Sequence, residues 1–203
     1  MNRLFLISLI LLMGSVVSAD YQTEVQELLN KFVVSIDKDP KQYSIIVEEN
    51  EKINAYASMG KKIVVYTGLI KELENESALA MVVAHELGHI EERHMINGMA
   101  RQGFFAILRR LFSSKPNALQ VYDGVTYMGG LHYSRGAEKE ADVFAIDLMN
   151  KLYCNESGKL EFFEKNSANQ KATKIDEYFS THPLSSTRLE YLNTLIIEAG
   201  CIV

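Results

Sequence analysis

Three side chains that could perform hydrolysis stand together in the middle of an apolar segment, where His85, Glu86 and His89 form a His-Glu-x-x-His motif. On a helix, four residues advance the chain by about 6 Å and return it to nearly the same face, so both imidazoles can point at one ion. Two neutral imidazoles suit zinc, and the carboxylate beside them can take a proton from a metal-bound water. The motif therefore predicts a zinc-dependent hydrolase.

The sequence around the motif favours a metal over a chance match. Residues 78–84 carry no charge, which is typical of a helix that is buried on every side. Polar groups on such a helix must find partners, because a buried polar group without one costs about 1 to 3 kcal/mol. A metal ion supplies these partners; core histidines satisfied by backbone carbonyls are the alternative.

A catalytic zinc ion normally takes three protein ligands and leaves a fourth position for water. One large class of zinc enzymes takes its third ligand six residues after the second histidine, but Met95 occupies that position here. His94 is no substitute, since a continuous helix would turn it about 140° away from His89.

A second helix, predicted over 134–152, offers a better third ligand. Glu138 leans toward the apolar stripe of this helix, whereas Glu140 points further outward. Asp142, one turn beyond Glu138, could accept the outer N–H of a ligating imidazole and fix its tautomer. A solvated acidic edge is the alternative interpretation.

Apolar spacing and β-forming residues predict the elements around the motif. We expect an amphipathic helix over 21–36, and a motif helix that begins at Asn75 or Ser77, runs to about Ile96 and is weak at Gly98. Short strands are predicted at 43–47, 53–57 and 63–66.

Two segments after the motif have several interpretations. Residues 99–112 form an amphipathic stripe with a basic edge, which predicts a core helix; a membrane-surface helix or a lid is the alternative. Residues 113–130 are rich in turn-forming residues and predict a long loop.

The N-terminus has the pattern of an export signal. A positive charge is followed by an apolar run over 4–13 and by small residues, which predicts a signal peptide over 1–19, cleaved after Ala19. The run is shorter than the ~20 residues that span a bilayer, although an uncleaved anchor is the alternative. Residues 20–203 are then expected to form one domain.

Charge and cysteine content narrow the class further. The net charge of −5 and the absence of a Lys/Arg run argue against nucleic-acid binding. The only cysteines, Cys154 and Cys201, could form a disulfide in an exported protein, and two buried free thiols are an equal alternative.

Taken together, these motifs resemble those of the gluzincin metallopeptidase family that includes HtpX, the CAAX prenyl proteases, mitochondrial OMA and the periplasmic BepA-type enzymes. The matching segments keep the family's order. They are Asn54-Ala55-Tyr56-Ala57, residues 75–89, Ser134-Arg135-x-x-Glu138-x-x-Ala141-Asp142, and Ser180-Thr181-His182-Pro183 followed by Arg188.

The resemblance implies an α+β, mainly helical zincin-like domain with a small sheet of about three strands before the HExxH helix. It implies a zinc endopeptidase that binds one zinc ion per chain through His85, His89 and Glu138. Glu86 would act as the base, and Asp142 would orient an imidazole.

Three further expectations concern residues around this centre. His182 is expected to stabilise the oxyanion, because Pro183 stiffens its loop; alternatively it occupies the open zinc position at rest or caps the last helix. Arg188 is expected to brace a carboxylate through a bidentate pair. Residues 54–57 could form an edge strand to which an extended substrate adds, or a plain internal strand.

The resemblance leads to two competing functions. The first is a short, periplasmic-type metalloendopeptidase in quality control of exported or outer-membrane proteins. Its substrates would be unfolded or misassembled proteins, its candidate partners envelope assembly factors, and its membrane contact at most peripheral. The second is a chaperone-like binding module in envelope protein assembly that retains a structural or occluded zinc site.

Overall fold

The computed structural model describes residues 21–73, 75–100, 133–168 and 186–203, together with Tyr178 and His182. The signal peptide predicted over 1–19, most of the segment 99–112 and the loop predicted over 113–130 lie outside the described residues. Within the described part, no helix has both the length and the apolar character needed to cross a membrane.

One helix precedes a small three-stranded sheet and the other described helices follow it, which confirms the predicted α+β, mainly helical class. The described elements are α1 (21–35), β1 (Ser44–Glu48), β2 (Ala55–Ser58), β3 (Lys62–Tyr66), α2 (Thr67–Glu72), α3 (Glu76–Glu91), α4 (94–100), α5 (Arg135–Leu152), α6 (Glu161–Ala168) and α7 (Ser186–Glu198). Each of the three predicted strands is present to within two residues.

The sheet has the order β1-β3-β2, with β1 parallel and β2 antiparallel to the central β3. Side chains of α1 bond to the backbone of β1: Gln22 donates to the Ile45 carbonyl at 2.8 Å and accepts from the Val47 N–H at 2.9 Å. This edge of the sheet is therefore covered by α1, whereas β2 forms the opposite edge and lies against the motif helix α3.

Helix α3 runs through the centre of the core, as its uncharged sequence predicts. Every residue from Ser77 to His89 is buried, and α3 packs mainly against α5. The two helices come closest at Gly88, where an added Cβ would lie 3.0 Å from the Cα and the carbonyl oxygen of Ala141.

The end of α3 differs from the sequence prediction. The helix stops at Glu91 instead of continuing to about Ile96, and the break falls at 92–93, so the weak point predicted at Gly98 is wrong. The Arg93 N–H bonds to the Ile90 carbonyl, and Arg93 takes a left-handed conformation with φ 56°. This turn redirects the chain before α4 begins at His94.

The C-terminal residues are tied to the loop that follows α5. Cys154 and Cys201 form a disulfide, which settles the alternative left open by the sequence. The buried Lys159 ammonium donates to the backbone carbonyls of Glu156 and Ile202. Together these links hold the end of α7 against the rest of the domain.

The close approach at Gly88 is testable by substitution. We expect Gly88→Ala to lower the free energy of unfolding by about 1 to 3 kcal/mol, because the new methyl group must push α3 away from the backbone of α5. Urea denaturation measures the change. Gly98→Ala is the matched control, since no described residue has an atom within 4 Å of its added Cβ. An undiminished stability in Gly88→Ala would show that the helix contact can relax.

Candidate metal centre

The site brings together residues that are far apart along the chain: 49 positions separate His89 from Glu138, and 97 separate His85 from His182. His85 and His89 project from α3, Glu138 from the first turn of α5, and His182 from the segment before α7. All four are buried, and one ligand atom from each lies within 4.8 Å of the others. The predicted ligands therefore meet at one point, with His182 as a fourth member of the group.

The spacing of the four donor atoms fits a single metal ion. His85 Nε2 lies 3.0 Å from His89 Nε2, and Glu138 places Oε2 3.5 Å from His85 Nε2 and Oε1 3.5 Å from His89 Nε2. His182 Nδ1 lies 3.4 Å from His85 Nε2 and 3.2 Å from Glu138 Oε1. Tetrahedral ligands about 2.0 to 2.1 Å from a zinc ion would be about 3.3 Å apart, close to these separations.

The electrostatic surroundings of the four donor side chains also suit a bound cation. Burial opposes a positive charge on His85, but the contacts with Asp142 and Glu138 outweigh it and raise the pKa of this imidazole to about 9. Burial lowers the pKa of His89 well below its usual value, which keeps it in the neutral form that binds metals. The carboxylates beside His85 thus favour added positive charge, and His89 is neutral and free to act as a ligand.

Asp142 and Arg188 lie behind the donors. Asp142 Oδ1 is 3.0 Å from His85 Nδ1, although the ring N–H is not aimed squarely at it. Arg188 donates to both Asp142 oxygens, from Nε at 2.6 Å and from Nη2 at 2.7 Å, and its Nη1 lies 2.8 Å from Glu138 Oε2. Burial alone would raise the pKa of Asp142, but its interactions with His85 and Arg188 lower it. One guanidinium therefore holds two carboxylates in place.

Glu86 is buried beside the donor group, and two donors fix its carboxylate. The backbone N–H of Ala57 donates to Oε2 at 2.8 Å, and the Tyr178 hydroxyl donates to Oε1 at 3.2 Å. Burial raises the pKa of Glu86, which strengthens it as a proton acceptor. The arrangement places a carboxylate of raised pKa next to the predicted zinc ligands.

The predicted substrate strand borders the site. Ala55, Tyr56 and Ala57 lie in β2, which forms one edge of the sheet, and Asn54 precedes it. The Asn54 carbonyl accepts from the Tyr66 N–H of β3, whereas the Ala57 N–H points away from β3 toward Glu86. The backbone groups of residues 55 and 57 thus face the metal centre.

Two aromatic residues of the centre were missed by the sequence analysis. Tyr133 stacks on His89 with ring centroids 3.8 Å apart, and Tyr178 stacks on His182 at 4.5 Å. Neither tyrosine belongs to a spaced polar motif, so no signal in the sequence separates them from ordinary core aromatics.

The fold and this buried donor group together define the class: the chain is a metalloprotease of the zincin type. Peptidase family M48 matches residues 19–196, and the chain belongs to this family. Family membership confirms the resemblance noted from the motifs. Members of the family use zinc, and the imidazole nitrogens and carboxylate oxygen that meet here suit that ion.

Individual relatives share modest identity with the chain. It is 27% identical over 178 residues to the Beta-barrel assembly-enhancing protease of Yersinia pestis, which covers 81% of this chain and 37% of that protein. It is 27% identical over 152 residues to the Mitochondrial metalloendopeptidase OMA1 of Arabidopsis thaliana, covering 74% and 31%. The Metalloprotease YcaL of Escherichia coli (strain K12) is 25% identical over 185 residues, covering 88% and 71%. The chain therefore spans little more than a third of the first of these relatives.

The role of Glu138 as third ligand can be tested through metal content. We expect the purified protein to hold about one zinc ion per chain and Glu138→Gln to lose most of it, because a neutral amide replaces the anionic donor. Elemental analysis after dialysis against a weak chelator gives the stoichiometry. Asp147→Asn, which removes an exposed carboxylate from the same helix, should keep its zinc. Full zinc content in Glu138→Gln would assign the third ligand elsewhere.

Proposed function

We propose that this protein is an exported zinc metalloendopeptidase that cleaves unfolded or misassembled proteins of the cell envelope. The observation that carries the proposal is the position of Glu86, whose carboxylate is fixed beside the donor group by the N–H of Ala57 at the sheet edge. A purely structural zinc site has no need of a buried, oriented carboxylate that is not a ligand. Such a carboxylate is what peptide hydrolysis requires.

In this mechanism His85, His89 and Glu138 would hold the zinc ion. When bound, zinc supplies a Lewis acid that polarises the scissile carbonyl and acidifies a water molecule. Glu86 would accept a proton from the attacking water and pass it to the leaving nitrogen. Its raised pKa matches both tasks, and the Ala57 N–H and Tyr178 hydroxyl keep its oxygens in a fixed orientation.

The position of His182 favours one of its three expected roles. Its Nδ1 stands among the other donors, as it would if it occupied the open zinc position at rest. We infer that His182 occupies this position at rest and must leave it before a substrate carbonyl can enter. A role for His182 in stabilising the oxyanion would follow only after this movement.

The edge of β2 supports an extended peptide as substrate. The Ala57 N–H is bonded to Glu86, but the ladder alternation turns the backbone groups of Ala55 and the carbonyl of Ala57 away from β3, so a peptide could add there through main-chain hydrogen bonds. Recognition of this kind depends on an extended chain more than on sequence, which suits unfolded proteins. One relative is named a Beta-barrel assembly-enhancing protease, and we propose a comparable setting with envelope assembly factors as partners.

We propose further that residues 1–19 act as a signal peptide and that residues 20–203 form a single periplasmic domain. The apolar run over 4–13 and the small residues after it support this proposal. The mass of the exported protein tests it: a product that retains residues 1–19 would favour an anchor.

A second candidate function has one observation in its favour. Four protein donors form a closed set, which is typical of structural zinc sites, whereas catalytic sites keep one position open. A chaperone-like module in envelope assembly could retain zinc in this closed form. The two functions differ in what they require of Glu86, because only the protease needs a proton acceptor.

Glu86→Gln separates the two functions. We expect this change to lower kcat/KM on unfolded casein by about 100-fold or more while zinc content stays unchanged, because the amide cannot accept the proton. Equal cleavage by mutant and wild type would dismiss the protease. In a deletion strain, complementation by Glu86→Gln as strong as by wild type would favour the chaperone-like module.

Substitution of His182 tests the resting arrangement. We expect His182→Ala to cleave casein faster than wild type, because the fourth position becomes open to water and substrate. Initial rates at saturating zinc provide the comparison. A fall in kcat of about 100- to 1,000-fold would instead assign His182 to the oxyanion.

A further inference from the structure

The break after α3 places a fourth histidine, His94, beside the metal centre. On a continuous helix His94 would point away from His89, but the left-handed turn at Arg93 interrupts the helix between them. His94 is only 7% exposed, and its Nδ1 lies 3.0 Å from His89 Nδ1. It is not among the four donors that meet at the metal position. Its contact is with the far side of a donor imidazole.

The hydrogen bonds around His94 have one consistent arrangement of protons. If His89 Nε2 binds zinc, as proposed, it must be bare, so the His89 proton sits on Nδ1 and is donated to His94 Nδ1. His94 then carries its own proton on Nε2, which lies 2.9 Å from Glu140 Oε2. If His94 carried its proton on Nδ1 instead, that N–H would face the N–H of His89. The bare His94 Nε2 would then face the lone pairs of the Glu140 carboxylate. The Glu140 carboxylate thus lies at the end of this series of hydrogen bonds, where it acts only as an acceptor.

We propose that His94 and Glu140 form a relay that positions the His89 imidazole for zinc, which rests on the proposed ligation by His89. The relay holds the ring from behind and keeps the lone pair of Nε2 directed at the metal. A ligating imidazole whose outer N–H is bound in this way is fixed in tautomer and orientation, and is a stronger donor. His94 and Glu140 are positioning residues, since neither reaches the metal position.

Both imidazoles of the HExxH motif then have a carboxylate of α5 behind them, in direct contact for His85 and through His94 for His89. Asp142 stands behind His85 and Glu140 stands behind His94 and His89, and both carboxylates belong to α5 along with Glu138. The two supports differ in burial, since Asp142 is fully buried whereas the side chain of Glu140 is 64% exposed. Solvent weakens an exposed charge pair, so His94 should contribute more than Glu140.

Zinc affinity is the first measurement, made by competition with a chromophoric chelator. We expect His94→Phe, which keeps a ring but neither accepts nor donates, to weaken zinc binding by about 10- to 100-fold. His94→Gln retains one acceptor and one donor and should restore most of the loss. Glu140→Ala, at an exposed position, should weaken binding by a smaller factor. Asp147→Asn on the same helix is the control and should match wild type.

The proton positions provide a second measurement that does not depend on activity. In zinc-loaded protein labelled with ¹⁵N-histidine, NMR should show His94 protonated on Nε2 and bare on Nδ1, with the His89 proton on Nδ1. The signals of His94 are assigned by their loss in His94→Gln. A His94 proton on Nδ1, or wild-type zinc affinity in His94→Phe, would overturn the relay. Absence of zinc binding in the wild type would instead remove the proposed function, so the two failures are distinguishable.

Discussion

The main constraint on the structure is that three carboxylates, those of Glu86, Glu138 and Asp142, are buried in one apolar core. Ions transferred from water lose several kcal/mol of solvation each, and the loss is recovered only through close positive partners and hydrogen bonds. Arg188 supplies one positive charge to two of the carboxylates. The remaining negative charge favours a cation at the point where the imidazoles meet.

The helices are arranged so that this charge balance can form. The absence of a side chain at Gly88 lets α3 approach α5 closely, and that approach sets the separation of His85 and His89 from Glu138. Helix α7 brings Arg188 to the same carboxylates, and the disulfide near its end links it to the loop after α5. Rigid scaffolding of this kind is what a metal site needs, because its donors must be held in position before the ion arrives.

The sheet has a different task from the helices. One of its edges is bonded to glutamines of α1, while the other, β2, brings a backbone N–H to Glu86. The strand that would receive a peptide is thus the strand that orients the base, which couples substrate position to proton transfer in the proposed protease. The four-donor group with His182 is consistent with a site that is closed at rest.

The sequence by itself determined the strands, the buried motif helix and the candidate ligands, because these follow from spacing along a single element. Glu138 and Asp142 share a side of one helix, and residues 78–84 are apolar throughout. Only the tertiary structure decided which distant groups meet: the pairing of Arg188 with two carboxylates, the hydroxyl of Tyr178 on Glu86, and the disulfide. His94 shows the reason most clearly. Helical geometry turns it away from His89, but one left-handed residue at position 93 brings it back, and no local pattern predicted that turn.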